Sequence, residues 1–163
     1  MLSALTRTLY VLGATLLALP AMQVAARDAP RPGYGPSIDI TAAKKIAAGV
    51  VAECQKNKWN VAVAIVDTHG SLVYFERMED TQTASMDIAI MKAKAAATYR
   101  RPTRVFADVI AKSGPAIMTL PGAIASPGGL PIFVSGKVIG GVGTSGVTGD
   151  QDEQCSKAGI AAM

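Results

Sequence analysis

The chain has 163 residues, a single histidine, two cysteines and a formal net charge of +4, and half of its residues are hydrophobic. That length allows one domain with a sizeable core. The mild charge, with no basic run interleaved with aromatics, argues against nucleic acid as a partner, and one histidine with two widely separated cysteines does not make a metal site.

Residues 1–26 have the organisation of a secretory signal peptide. Arg7 supplies the positive region, Leu9 to Leu19 is an apolar run broken only by Gly13 and Thr15, and Val24-Ala25-Ala26 offers small residues for cleavage after Ala26. The apolar run is too short to span a bilayer comfortably, and no later segment approaches a membrane span, so none is expected after cleavage. Removing this segment takes away Arg7 alone among the charged residues and leaves a charge of +3. Export implies a periplasmic or secreted protein in an oxidising compartment. There Cys54 and Cys155 either form one disulfide or remain two buried thiols, and their spacing does not decide between them. Residues 27–37 carry three prolines and two glycines and read as an extended, mobile leader. Residues 38–163 form the domain.

Asp39 or Thr41 can cap a first helix, and Ala43, Ile46, Ala47, Val50 and Cys54 repeat at the spacing of one buried face. Val61 to Val66 is a short β-branched apolar run, the pattern of a central strand. Asp67-Thr68-His69-Gly70 is its turn, and Leu72 to Phe75 the return strand. An alanine-rich helix follows from about Ser85 to Tyr99, where small residues allow close approach to a sheet or a neighbouring subunit. Thr103 caps a short helix to about Lys112. The loop from Gly114 to Gly129 is long enough to suggest a cover for a site or a subunit contact. Ile132 to Val134, a turn at Ser135-Gly136-Lys137 and Val138 to Val142 make a second hairpin. Its glycines require something to approach the backbone closely. Thr148 and Gln151 have capping-box spacing for a last helix from about Asp150 to Ala161.

Two antiparallel hairpins interleaved with helices make an α+β layer structure rather than a doubly wound sheet. Gly141, Gly143 and Gly146 fit the pattern G-x-G-x-x-G. No second strand follows to complete a βαβ unit, and acids in the next helical turn would repel a pyrophosphate. The glycines therefore read as a closely packed corner.

Several segments together resemble the GlcG/HbpS-type haem-binding family, related to the C-terminal domain of PduO-type corrinoid adenosyltransferases. The resemblance is carried by Val61 to Met78, by Lys92-Ala-Lys-Ala-Ala-Ala, by Gly128-Gly129-Leu130-Pro131-Ile132, by Ile139-Gly140 through Gly146, and by Gln151-Asp152-Glu153 with Ala158-Gly159. It covers about residues 38–162. It implies a profilin-like or roadblock-like sandwich, an antiparallel sheet of about five strands flanked by helices, assembling as a homo-oligomer. It also implies binding of haem or a similar planar, acidic ligand. The first helix contains no histidine, so the axial position proposed in some relatives has no counterpart there.

The functional candidates follow. Arg77 and Lys92 are expected to grip the carboxylates of the ligand; pairing of Arg77 with Asp80 or Asp152 is the alternative. Gly128, Gly129 and Ser145 are placed at the same site through the C-terminal motif. His69, the sole histidine, is the candidate haem-iron ligand, against an ordinary exposed turn residue. Met78, Tyr99 or a cysteine are further sources of an axial atom. No nucleophile elbow or triad can be assembled, which leaves catalytic residues unassigned. The leading expectation is an exported haem-binding protein. The alternatives are an enzyme on the same scaffold, acting on a small organic acid or degrading haem, and an oligomeric sensory protein without a ligand.

Overall fold

The structure, a computed structural model, describes residues 30–163; the signal-peptide segment lies outside the described residues. Helix α1 (Ile40–Lys56) begins at Asp39, whose Oδ1 accepts a hydrogen bond from the Ala42 amide at 2.8 Å. That bond satisfies one of the amides left unpaired at a helix start. The five residues predicted for its buried face are the five that are buried.

Strands β1 (Ala62–Val66), β2 (Leu72–Arg77), β3 (Gly129–Val134) and β4 (Lys137–Ser145) form one antiparallel sheet in the order β2-β1-β4-β3. The expected sheet of about five strands therefore has four among the described residues. The extra pairing comes from the leader, as a single parallel bridge between Tyr34 and Val138. β1 stops at Val66 opposite Gly141, so β4 runs on without a partner on that side. Its free groups are taken by the leader: Gly35 donates to the Val138 carbonyl, Val138 to that of Gly33, and Ile38 to that of Ile139, at 2.8–2.9 Å. The described part of the leader is thus held against the sheet, contrary to the expectation of a mobile segment.

Helix α2 (Ser85–Tyr99) covers one face of the sheet, and α1 with α4 (Gly149–Ala161) covers the other. β1 is buried along its whole length because it feeds both layers: Ala62, Ala64 and Val66 meet α2, while Val63 and Ile65 join the α1/α4 core. Gly141 and Gly143 of β4 serve α2. A Cβ on Gly141 would overlap the Ala93 carbonyl oxygen, and one on Gly143 the Ala89 carbonyl oxygen. Ala89, Ala93 and Ala97, one turn apart, complete this close helix-on-sheet contact. The G-x-G-x-x-G pattern is thereby explained as packing.

The second hairpin turns on Ser135 and Gly136, both at positive φ (49° and 73°), the pairing that suits the twist of adjacent strands. α4 starts with the predicted capping box: Thr148 accepts from the Gln151 amide, and Gln151 reaches back to the Thr148 amide. Cys54 on α1 and Cys155 on α4 form a disulfide with Cα atoms 5.8 Å apart, both cysteines fully buried. That settles the alternative left open by their spacing.

Helix α3 (Arg104–Ser113) and a 3₁₀ turn (Pro115–Thr119) lie outside the layers. Of α3 only Phe106 is buried, edge-on to Tyr99 with ring centroids 5.1 Å apart. Thr103 does not cap α3 as expected. Its own backbone is already helical (φ −65°, ψ −21°) and its side chain caps nothing. Its hydroxyl instead donates to the Ser126 carbonyl at 2.6 Å and accepts from the Gly129 amide at 3.0 Å, which pins the end of the long loop. No helix among the described residues is long and apolar enough to cross a membrane.

Candidate functional site

The residues expected to form one ligand site separate into three places. The first is a closed polar network beneath the C-terminal motif. Lys92 projects from α2 into the core, where it is 1% exposed. Its ammonium donates to Asp152 Oδ2 at 2.7 Å and to the Thr144 carbonyl at 3.0 Å. Asp152 accepts a further bond from the Val147 amide through Oδ1. The hydroxyls of Thr144 and Ser156 meet at 2.7 Å, and Ser156 donates to the Gly128 carbonyl at 2.8 Å. Gly128 holds a φ of 116°, and a Cβ there would sit 2.7 Å from Asp152 Cβ and 3.0 Å from Lys92 Nζ. Only glycine combines that backbone with that space. Gly129 packs on the Lys92 backbone, and the Ser145 hydroxyl donates to Ser85 Oγ at 3.3 Å.

Burial opposes both charges of the pair. It pulls the Lys92 ammonium below its usual range and pushes the Asp152 carboxyl above its own, while their mutual attraction works against both shifts. No buried side-chain nitrogen or oxygen among the described residues lacks a hydrogen-bond partner. Lys92, Gly128, Gly129 and Ser145 therefore complete the interior. Against the expectation that Lys92 would meet a ligand's carboxylate, its ammonium is taken up by Asp152 and the Thr144 carbonyl in the core.

A second set of charges fastens α3. Arg104 donates through Nε to Glu153 Oε2 at 2.7 Å and also binds Asp150, while Lys157 reaches Glu153 Oε1 at 2.7 Å. Asp152 and Glu153 are thus both engaged in ion pairs.

The second place is an open groove of about 560 Å³ at the Arg77 end of the first hairpin, between the end of α1 and the residues that follow β2. Arg77 is exposed there, and its Nη1 lies 3.9 Å from Met86 Sδ. It pairs with neither Asp80 nor Asp152.

The third place is the opposite end of the same hairpin. Asp67 Oδ1 accepts from the amides of His69 and Ser71, both at 2.8 Å, which fixes the turn. His69 is exposed; its Nδ1 lies 3.3 Å from Thr68 Oγ1, and its Nε2 has no hydrogen-bond partner among the described residues. Gly70 sits on α2, where a Cβ would be 3.4 Å from Lys94 Cγ and from Thr98 Cγ2. Tyr34 donates to the Thr98 carbonyl at 2.9 Å, and the Arg100 guanidinium lies 5.1 Å from the Tyr34 ring centre. Leu72, three residues beyond His69, is half exposed. An imidazole with a free ring nitrogen, nearby cations and an exposed apolar side chain therefore share one end of the molecule. His69 and Arg77 lie at opposite ends of β2, which spans roughly 17 Å at about 3.3 Å per residue, so the two do not converge on one small site. Lys94, Arg100 and Tyr34 had no sequence signal that tied them to His69, because the chain brings them together through the leader and α2.

Residues 38–161 match the family described as "Haem degrading protein HbpS-like". Protein GlcG of Escherichia coli (strain K12) is 35% identical over 110 residues, which is 65% of this chain and 82% of that protein. Among solved structures, a double mutant of HbpS from Streptomyces reticuli superposes with a TM-score of 0.74 at 32% identity, over 85% of this chain and 97% of that one. The PduOC–haem complex superposes with a TM-score of 0.71 at 27% identity, over 78% of this chain and 95% of that one.

Proposed function

The chain belongs to the HbpS-like family, and from that premise we propose that it is an exported haem-binding protein whose haem-iron ligand is His69. The observation that carries the reading is the pairing of the family match with the hairpin tip. Histidine ligation in this chain has one source, because the sequence holds one histidine, and the ring nitrogen of His69 that makes no internal bond is available there. The donor set fits the group. A haem needs a nitrogen for its metal, apolar surface for its ring and cations for its propionates. His69, Leu72, and Lys94 with Arg100 supply those three chemistries. When bound, haem would bring redox and gas-binding chemistry to the site; the protein's own part is to hold and orient it.

Asp152 and Glu153 are committed to Lys92, Arg104 and Lys157, so neither is free to move a proton for a substrate. Export is supported by the pattern of residues 1–26 and by the Cys54–Cys155 disulfide, which suits an oxidising compartment. Self-association is supported by the apolar side chains exposed in and just after the 3₁₀ turn, Met118 and Leu120.

The test is a haemin titration of protein recovered from the periplasmic or culture fraction of its host. A saturable Soret band with one haem per chain, on a polypeptide beginning at Arg27, is the expected result. Free-haemin absorbance throughout the titration would overturn the reading.

A further inference from the structure

The groove at the Arg77 end of the first hairpin is independent of the haem reading and has its own chemistry. Lys58 and Arg77 bring positive charge to it, and Glu76, Glu79 and Asp80 negative charge. None of these five forms an ion pair among the described residues, although Glu76 accepts a hydrogen bond from the Tyr74 hydroxyl. Side chains of both signs around one groove of about 560 Å³ are therefore available to the charges of a ligand. Val51 and Met78, which pack on the main core from the groove side, give it an apolar floor.

Two of the charged residues are also held in an unfavourable backbone. Lys58 (φ 59°) and Asp80 (φ 57°) are two of the four non-glycine residues with positive φ among the described residues. Lys58 follows the end of α1, where its amide donates to the Gln55 carbonyl and that of Trp59 to the Cys54 carbonyl. Glycine is the usual residue at such a position, although a cation there also suits the negative end of the helix. Backbone strain of this kind concentrates at binding sites.

We propose that this groove binds a small zwitterion, an α-amino acid with an apolar side chain. Arg77 and Lys58 receive its carboxylate, Glu79 and Asp80 its ammonium, and Val51 with Met78 its side chain. Both charges of the ligand are required, because the groove offers partners of both signs.

The test is an NMR titration of nitrogen-labelled full-length protein with L-leucine, isocaproate and isoamylamine, the last two each lacking one of leucine's charges. Leucine is expected to give saturable shifts at the amides of Lys58 and Asp80, and each analogue to bind at least roughly tenfold more weakly. Arg77→Gln and Asp80→Asn are each expected to weaken leucine about tenfold while keeping a dispersed spectrum, since asparagine tolerates the same backbone. Lys58→Gly is expected to raise the unfolding temperature while weakening leucine. The proposal is overturned if leucine gives no saturable shifts, if isocaproate binds as tightly as leucine, or if the folded variants bind like the wild type.

Discussion

Lys92 Nζ lies 2.7 Å from Asp152 Oδ2, with the two side chains 1% and 2% exposed. The pair joins α2 to α4 across the end of β4, and Gly128, Thr144 and Ser156 close around it. Removing one partner strands the other charge in the interior, which typically costs about 3–5 kcal/mol. Lys92→Met and Asp152→Leu should each lose that much in urea unfolding, and the double variant should recover most of it. Equal losses in the single and double variants would contradict the account.

The same pair makes a prediction about pH. Burial raises the folded pKa of Asp152 above its ordinary 3.8, so as pH rises through that interval the native state keeps a proton that the unfolded chain releases, and stability falls. Burial lowers the folded pKa of Lys92 below its ordinary 10.5, so stability rises again as pH climbs from the lowered value to 10.5. Relative to the Lys92→Met/Asp152→Leu protein, the wild type should be least stable between the two folded pKa values. Its relative stability should recover below about 3.8 and above about 10.5. Parallel stability–pH curves for the two proteins would exclude this.

The contact between β4 and α2 depends on the missing Cβ atoms. Gly143→Ala, whose new methyl would overlap the Ala89 carbonyl, should destabilise by roughly 1–3 kcal/mol or more through overpacking. Gly33→Ala, with nothing within 4 Å and no positive φ, should be neutral. Thermal unfolding of the two variants checks both.

The Cys54–Cys155 bond closes a loop with a sequence separation of 101. Replacing both cysteines with alanine should cost about 2–5 kcal/mol. A urea midpoint unchanged from that of the oxidised protein would show that the bond adds nothing.

Much of the fold was legible because each local signal agreed with the others. The buried face of α1, the alanine content of α2, the Ser135-Gly136 turn and the Thr148–Gln151 box all formed as read. The site was less legible, for one physical reason. A lysine on a helix reads as solvent-facing or ligand-facing, because burying it requires a partner, and that partner, Asp152, lies 60 residues away in a position that also suits a helix N-terminus. The attachment of the leader was hidden likewise: prolines and glycines read as mobility, while the unpaired edge of β4 that captures the segment exists only after the sheet has formed.

The account turns on His69 as the iron ligand, and one comparison tests that most directly: haemin titrations of the wild type, His69→Ala and Arg77→Gln, followed at the Soret band. The account predicts that His69→Ala loses the wild-type spectrum and binds at least roughly tenfold more weakly, while Arg77→Gln, at the far end of β2, matches the wild type. A His69→Ala protein with wild-type spectrum and affinity would contradict it.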